Sequence, residues 1–199
     1  MNVVWFKRDL RVSDHAPLTS ATQSNPTLAL YILEPLLWRE KDLSARHYAF
    51  LQESLLDLQS QLKKLNFRLL IKVGHAEEIF TELHHNLKIT AVFSHQETWN
   101  DWTYQRDKRV SKLFKALTIP WHEFQHNGVV RKLVSRDGWA KQWHHYMTAP
   151  AIAMPERQRS LDINIDSDNL PSPTQLGLSN ETCQAPQAGG RHFGLALLD

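Results

Sequence analysis

The chain has 199 residues, of which 42% are hydrophobic and 22% charged, and its formal net charge is +2. These values are close to the globular average, so they exclude wholesale disorder, and no apolar run approaches the roughly 20 residues of a bilayer span. The single cysteine, Cys183, excludes an internal disulfide framework and a Cys-based zinc cluster. Because a signal-peptide pattern is also absent, we expect a cytoplasmic protein without a membrane partner.

The first 125 residues alternate short apolar runs with longer amphipathic segments. The apolar runs are continuous, as in parallel strands covered on both faces, and lie at 3–6, 27–33, 68–73, 91–94 and 118–121. The amphipathic segments, which predict helices, lie at 14–24, 44–62, 75–87 and 100–117. This order predicts an α/β fold with a doubly wound, Rossmann-like, five-stranded parallel sheet over residues 1–125 and helices on both faces.

The regular alternation stops after residue 125. Residues 126–188 predict a connection that begins with a helix over 139–147 and becomes an irregular tail in the Pro-, Ser- and Asn-rich stretch from 155. Residues 126–160 hold six Lys or Arg against two acids, a contrast that fits contact with nucleic acid, with another domain or with solvent. Residues 189–199 open a new apolar pattern, and we expect them to be the start of a truncated second domain.

The sequence His122-Glu-Phe-Gln-His126 matches the H-E-x-x-H pattern of zinc metalloproteases. That chemistry needs a helix, whereas Pro120 and the apolar run before it predict a strand. In a strand the two histidines are separated by about 13 Å, and one zinc with bonds of about 2.1 Å does not reach both. We therefore expect no metal site here.

A dense cluster of charges follows the first predicted strand, at residues 7–11, and Asp14 is placed to cap the next helix. Such a cluster forms either a structural ion-pair network or a site for an anionic ligand. Glu34 ends the second strand, and a polar segment with Trp99 and Trp102 follows the fourth. Because ligands of parallel sheets bind beyond the carboxyl ends of the strands, this mixture suits a planar aromatic ligand with an anionic tail.

Residues 5–14, WFKRDLRVSD, closely resemble the opening motif of the DNA photolyase/cryptochrome family. Further segments that resemble family motifs follow in order at 45–52, 68–74, Glu97 with 106–107, 138–143 and 189–198. The resemblance covers nearly the whole chain, except for about 155–186, and several motifs in register make it specific.

The resemblance implies the antenna-chromophore-binding N-terminal domain of a blue-light-driven, FAD-dependent deoxyribodipyrimidine photolyase, a carbon–carbon lyase that repairs pyrimidine dimers in DNA. The alternative is the same domain of a cryptochrome photoreceptor without repair activity. A stand-alone nucleotide-binding or interaction domain fits less well, because the last apolar pattern stops as it begins. The implied antenna is a deazaflavin, a flavin nucleotide or a methenyl-folate, whereas FAD is implied for a C-terminal helical domain.

By family position, the chromophore contacts map to Lys7, Arg8, Glu34, Arg46, Gln96 and Glu97. We expect Asp9 and Arg11 to form a fold-stabilising ion pair, and Arg106 with Asp107 to tie a helix to the rim of the site. The resemblance implies no catalytic residue in this chain. We therefore expect the chain alone to be inactive in repair, the parent to bind dimer-containing DNA, and the apolar end to pack on the chain itself or on a second copy.

Overall fold

Parallel strands and helices alternate along the first 124 residues of the computed structural model, which describes residues 1–159, 161–179 and 184–198. In chain order the elements are β1 (Asn2–Phe6), α1 (Ala16–Ala21), β2 (Thr27–Leu33), α2 (Ala45–Lys64), β3 (Leu69–Val73), α3 (Ala76–Leu87), β4 (Ala91–His95), α4 (Asp101–Ala116) and β5 (Trp121–Phe124). The strands lie in the order β3-β2-β1-β4-β5, and every pairing is parallel. The predicted doubly wound, five-stranded α/β sheet is confirmed.

The sheet divides the core into two apolar layers because successive side chains of a strand point to opposite faces. On one face, Val4 and Phe6 of β1 pack with the buried residues of α1 and α2. On the other face, Val3 and Trp5 pack with α3 and α4. Every residue of β1 and β2 is buried, which explains why these strands are continuous apolar runs.

The start of α1 differs from the sequence prediction. His15, and not Asp14, is the N-cap, since its Nδ1 accepts a hydrogen bond of 3.1 Å from the backbone N–H of Leu18. Asp14 adopts a left-handed φ of 51° and exchanges two hydrogen bonds of 3.0 Å with the backbone of Ile152. The prediction of an Asp14 cap was wrong because this carboxylate holds a distant segment instead of the helix end.

Among the described residues, two further helices follow the sheet, α5 (Trp139–Met147) and α6 (Arg191–Ala196). Between them, the described residues form turns and extended chain. Cys183 and Asp199 lie outside the described residues, as do 160 and 180–182, so part of the predicted irregular stretch is not described. In the described part of the chain, every helix lacks the length or the apolar composition needed to cross a membrane.

The segment before α6 is fastened to α2 by three consecutive backbone N–H groups. Gly189 donates to Glu53 Oε2 at 2.5 Å, Gly190 to Ser54 Oγ at 3.1 Å and Arg191 to Asp57 Oδ2 at 2.8 Å. A Cβ atom on Gly189 would lie 2.3 Å from the carbonyl oxygen of Phe50, so only glycine permits this approach.

The centre of the second apolar layer yields a stability prediction. Phe80 is fully buried, and its ring lies 5.1 Å from that of Trp5 and 4.8 Å from that of Phe114 in edge-on contacts. We expect Phe80→Ala to lower the free energy of unfolding by about 3–5 kcal/mol, measured by urea denaturation, because it removes buried area and leaves a cavity. Leu56→Ala, at a position that is 68% exposed, is the control and should change it by less than about 0.5 kcal/mol. Equal effects of the two substitutions would contradict the assignment of the core.

Candidate functional site

A cavity of about 670 Å³ lies beyond the carboxyl ends of β1 and β2. Its walls come from the segments after β1, β2 and β4, from the first half of α2, from the start of α4 and from the segment before α6. Its volume is within the range of sites that enclose cofactor-sized ligands. The site therefore lies where a doubly wound sheet is expected to bind ligands.

A buried ion pair forms part of the cavity lining. Glu34 Oε2 lies 2.7 Å from Arg106 Nη1, and Glu34 Oε1 accepts a hydrogen bond of 3.3 Å from the backbone N–H of Ala76. Burial raises the pKa of Glu34, and the adjacent Arg106 guanidinium opposes that shift. The pair fixes the end of β2 against α4.

Lys7 extends this network to β1. Its Nζ lies 3.2 Å from Asp107 Oδ2, donates to the carbonyl oxygen of His95 at 3.4 Å and stands 4.4 Å from the ring centre of Trp5. Burial lowers the pKa of Lys7, against the opposing effect of Asp107. Asp107 in turn accepts from its neighbour Arg106 Nε at 2.9 Å. Because Asp107 binds Lys7 and Arg106 binds Glu34, this pair ties α4 to the cavity rim, as expected.

Arg8 lies at the cavity mouth. Its guanidinium stands 4.7 Å from the ring centre of Trp99 and 3.8 Å from Glu97 Oε1, while 56% of its side chain is exposed. Glu97 is held through its carbonyl oxygen, which accepts from Arg131 Nη2 at 2.7 Å. One basic group of the 126–160 segment is therefore used to hold the loop after β4.

The six residues predicted as chromophore contacts do not all meet. Lys7, Arg8, Glu34 and Glu97 line the cavity. Arg46 is exposed on the first turn of α2, next to the lining residue His47, and is not part of the lining. Gln96 is half-buried outside the lining, where its backbone N–H donates to the carbonyl oxygen of Phe124 at 2.7 Å.

Asp9 is the centre of a second buried polar cluster. Its Oδ2 accepts from His15 Nε2 at 2.8 Å and from His95 Nδ1 at 2.5 Å, and its Oδ1 accepts from the backbone N–H of Lys7 at 2.8 Å. Burial raises the pKa of Asp9, but the two histidines outweigh burial and hold it well below its ordinary value. The predicted Asp9–Arg11 ion pair was wrong, since Arg11 binds the carbonyl oxygen of Asp14 and the ring of His126.

One ligand atom from each of Asp9, His15 and His95 falls within 4.8 Å of the others, a spacing that suits a metal ion. The hydrogen bonds give a different account of the cluster. Leu18 N–H donates to His15 Nδ1, so His15 Nε2 carries the hydrogen that Asp9 accepts, and both ring nitrogens are used. We assign the cluster a structural role, which joins β1, α1 and β4.

The two histidines of the H-E-x-x-H pattern contact different rings. His122 lies in β5 and stacks on Phe93 at 4.8 Å, whereas His126 follows the strand and stacks on His95 at 5.0 Å. The helix that a zinc protease needs is therefore replaced by a strand end.

A family model described as DNA photolyase matches residues 2–138. The chain belongs to the DNA photolyase family. Cryptochrome DASH of Gloeobacter violaceus is 35% identical over 129 residues, which are 61% of this chain and 25% of that protein. A deoxyribodipyrimidine photo-lyase of Synechococcus is 29% identical over 128 residues, 62% of this chain and 26% of its own length. The matches thus extend over about a quarter of these curated relatives.

Solved structures of photolyases and cryptochromes share the fold. An archaeal photolyase from Sulfolobus tokodaii, solved with two FAD molecules, superimposes with a TM-score of 0.75 at 21% identity, over 100% of this chain and 46% of that one. A cryptochrome from Synechocystis gives a TM-score of 0.74 at 18% identity, over 100% and 45%. The chain has the fold of the N-terminal photolyase/cryptochrome domain.

Replacing the carboxylate of Asp9 tests the structural role of its cluster. We expect Asp9→Asn to lower the free energy of unfolding by about 2–5 kcal/mol, because a buried charged acceptor of three hydrogen bonds is lost. Urea denaturation at pH 7.5 measures the change, with Asp166→Asn at a fully exposed carboxylate as the control. A loss no larger than that of the control would contradict the role assigned to Asp9.

The stacked rings of His95 and His126 predict an acid-sensitive fold. Burial lowers the pKa of both rings, against the opposing effect of Asp9, and the Nε2 of His126 accepts from Arg11, which protonation would prevent. Since the unfolded chain binds these protons near pH 6.5, the stabilisation is complete above that pH and is lost as the pH falls towards the lower folded pKa. We expect the urea midpoint to fall between pH 7.5 and 5.5.

The variant His126→Gln keeps a hydrogen-bonding side chain but removes one titrating ring. Its urea midpoint should change less between the two pH values than that of the unchanged protein. An identical pH dependence would show that other groups control the acid response.

Proposed function

We propose that this domain binds an antenna chromophore in the cavity beyond β1 and β2, and that in its parent protein the chromophore transfers excitation energy to FAD. The observation that carries the proposal is the cavity itself, about 670 Å³ in volume and lined by aromatic, aliphatic and charged side chains. The planar rings of antenna chromophores bury apolar area against such walls, and a few fixed polar groups orient the rings.

The distribution of lining residues supports a flavin-type ligand. Apolar walls come from Trp38 and from Phe50 and Leu51 of α2, on the same face as the first apolar layer. Cationic groups stand at Arg8 and Arg191, where a ribityl chain or phosphate would leave the cavity. A deazaflavin or flavin nucleotide combines these two chemistries, and a methenyl-folate is the remaining candidate.

For the parent protein we propose a blue-light-driven, FAD-dependent photolyase that repairs pyrimidine dimers in DNA. FAD and DNA would be bound by a C-terminal helical domain, with residues 1–125 as the antenna domain, 126–188 as the connection and 189–199 as the start of that helical domain. A cryptochrome photoreceptor without repair activity is the second candidate. The observation that supports this second candidate is the 35% identity to cryptochrome DASH proteins, compared with 29% and 31% to photo-lyases.

Titration of the purified chain with four chromophores tests the antenna proposal. We expect riboflavin, FMN or 5-deazariboflavin to bind with one-to-one stoichiometry, with quenching of ligand fluorescence by the aromatic lining, and methenyltetrahydrofolate to bind less tightly. The absence of binding by all four compounds would overturn the proposal.

Two arginine substitutions locate the anionic end of the ligand. We expect Arg8→Ala to weaken FMN binding by about 1 kcal/mol, a value discounted for solvent exposure, and to leave riboflavin binding nearly unchanged, because only FMN carries the phosphate. Isothermal titration measures both affinities. Arg46→Ala is the comparison, since a loss of similar size there would extend the site to the first turn of α2, as the family resemblance implies.

A further inference from the structure

Tyr31 is a buried polar residue of the cavity lining. It lies on β2, next to Phe6 in the register of β1 and β2, and is only 7% exposed. Within the described residues its hydroxyl makes no hydrogen bond, whereas the hydroxyl of the buried Tyr48 donates to the carbonyl oxygen of Pro171 at 2.6 Å. A hydroxyl without a protein partner on the wall of a cavity can donate a hydrogen bond to a ligand that enters the cavity.

The surroundings of Tyr31 keep its hydroxyl a hydrogen-bond donor. Burial raises the pKa of Tyr31, and the nearby carboxylate of Glu34 raises it further. The phenol is therefore neutral throughout the physiological range. Glu34 and Arg106 line the same cavity and bind each other, while Arg106 Nη2 is a second donor without a partner among the described residues.

We propose that the hydroxyl of Tyr31 donates a hydrogen bond to a ring nitrogen or ring carbonyl oxygen of the bound chromophore, and so determines which planar ligands the cavity accepts. This inference rests on the proposed antenna function. The apolar walls hold a ring through non-directional contact, which does not fix how the ring is rotated within its own plane. A fixed hydroxyl donor on this wall restricts that orientation and favours rings that carry an acceptor, as flavins and deazaflavins do.

The test compares Tyr31→Phe with the matched control Tyr48→Phe, each of which removes one hydroxyl from a buried tyrosine. We expect Tyr31→Phe to raise the Kd for riboflavin about 3- to 10-fold, the loss of one hydrogen bond, without lowering the urea midpoint of the empty protein. Tyr48→Phe should do the reverse, since it breaks a bond inside the protein and does not line the cavity.

The absorption spectrum of bound riboflavin gives a readout that a structural role would not change. Its visible band should shift in Tyr31→Phe, because a hydrogen bond to the ring is lost, and should be unchanged in Tyr48→Phe. The same Kd and the same band in Tyr31→Phe as in the unchanged protein would overturn the inference while the antenna function stands. If the unchanged protein binds neither riboflavin nor 5-deazariboflavin, this inference fails, whereas the antenna function fails only if FMN and methenyltetrahydrofolate do not bind either.

The two ligands also locate the acceptor. In 5-deazariboflavin a CH group replaces the ring nitrogen N5. A Tyr31→Phe penalty seen with riboflavin alone places the hydrogen bond at N5, and an equal penalty with both ligands places it at N1 or at a carbonyl oxygen. Either result supports the role of Tyr31.

Discussion

Four buried charged side chains, Lys7, Asp107, Arg106 and Glu34, form a continuous series of ion pairs from the end of β1 through α4 to the end of β2. Each of these groups gives up its hydration on burial, and only close, hydrogen-bonded pairing offsets that cost. Because every member holds its neighbour, the three elements meet at fixed positions. The cavity beside them is preformed for this reason, and a ligand that enters it need not order its inner wall.

The arrangement of the sheet was predictable because its signal is local. Continuous apolar runs such as 27–33 are typical of strands that are covered on both faces, and residues 27–33 are all buried. The polar contacts of the strand ends were less predictable. Asp9 was expected to pair with the nearby Arg11, yet it binds His15 and His95, the second of which lies 86 residues away. Charge pattern along a chain does not show which groups a fold brings together at an angle suited to hydrogen bonding.

The candidate site also contains residues that the sequence predicts and residues that it does not. Arg8 and Glu34 are visible in the sequence because they interrupt or end apolar runs, and both line the cavity. Tyr31 was not singled out, because a tyrosine inside an apolar run is typical of the core. Whether such a residue meets packed side chains or an open cavity depends on how far the covering helix extends, here the start of α2. Arg106 was expected at the rim, but its pairing with Glu34 joins α4 to the end of β2, a contact between segments 72 residues apart that the sequence does not show.

Residues 167–168, between α5 and α6, lie along β3, which is an edge strand of the sheet. Asp168 accepts from the backbone N–H of Val73 at 2.8 Å and donates its own N–H to the carbonyl oxygen of Ile71 at 2.8 Å, while Ser167 Oγ accepts from Ile71 N–H at 3.1 Å. These are the groups that would otherwise accept a strand from another molecule. The described residues 161–179 form neither helix nor strand, yet they protect this edge of the sheet against intermolecular β-pairing and aggregation.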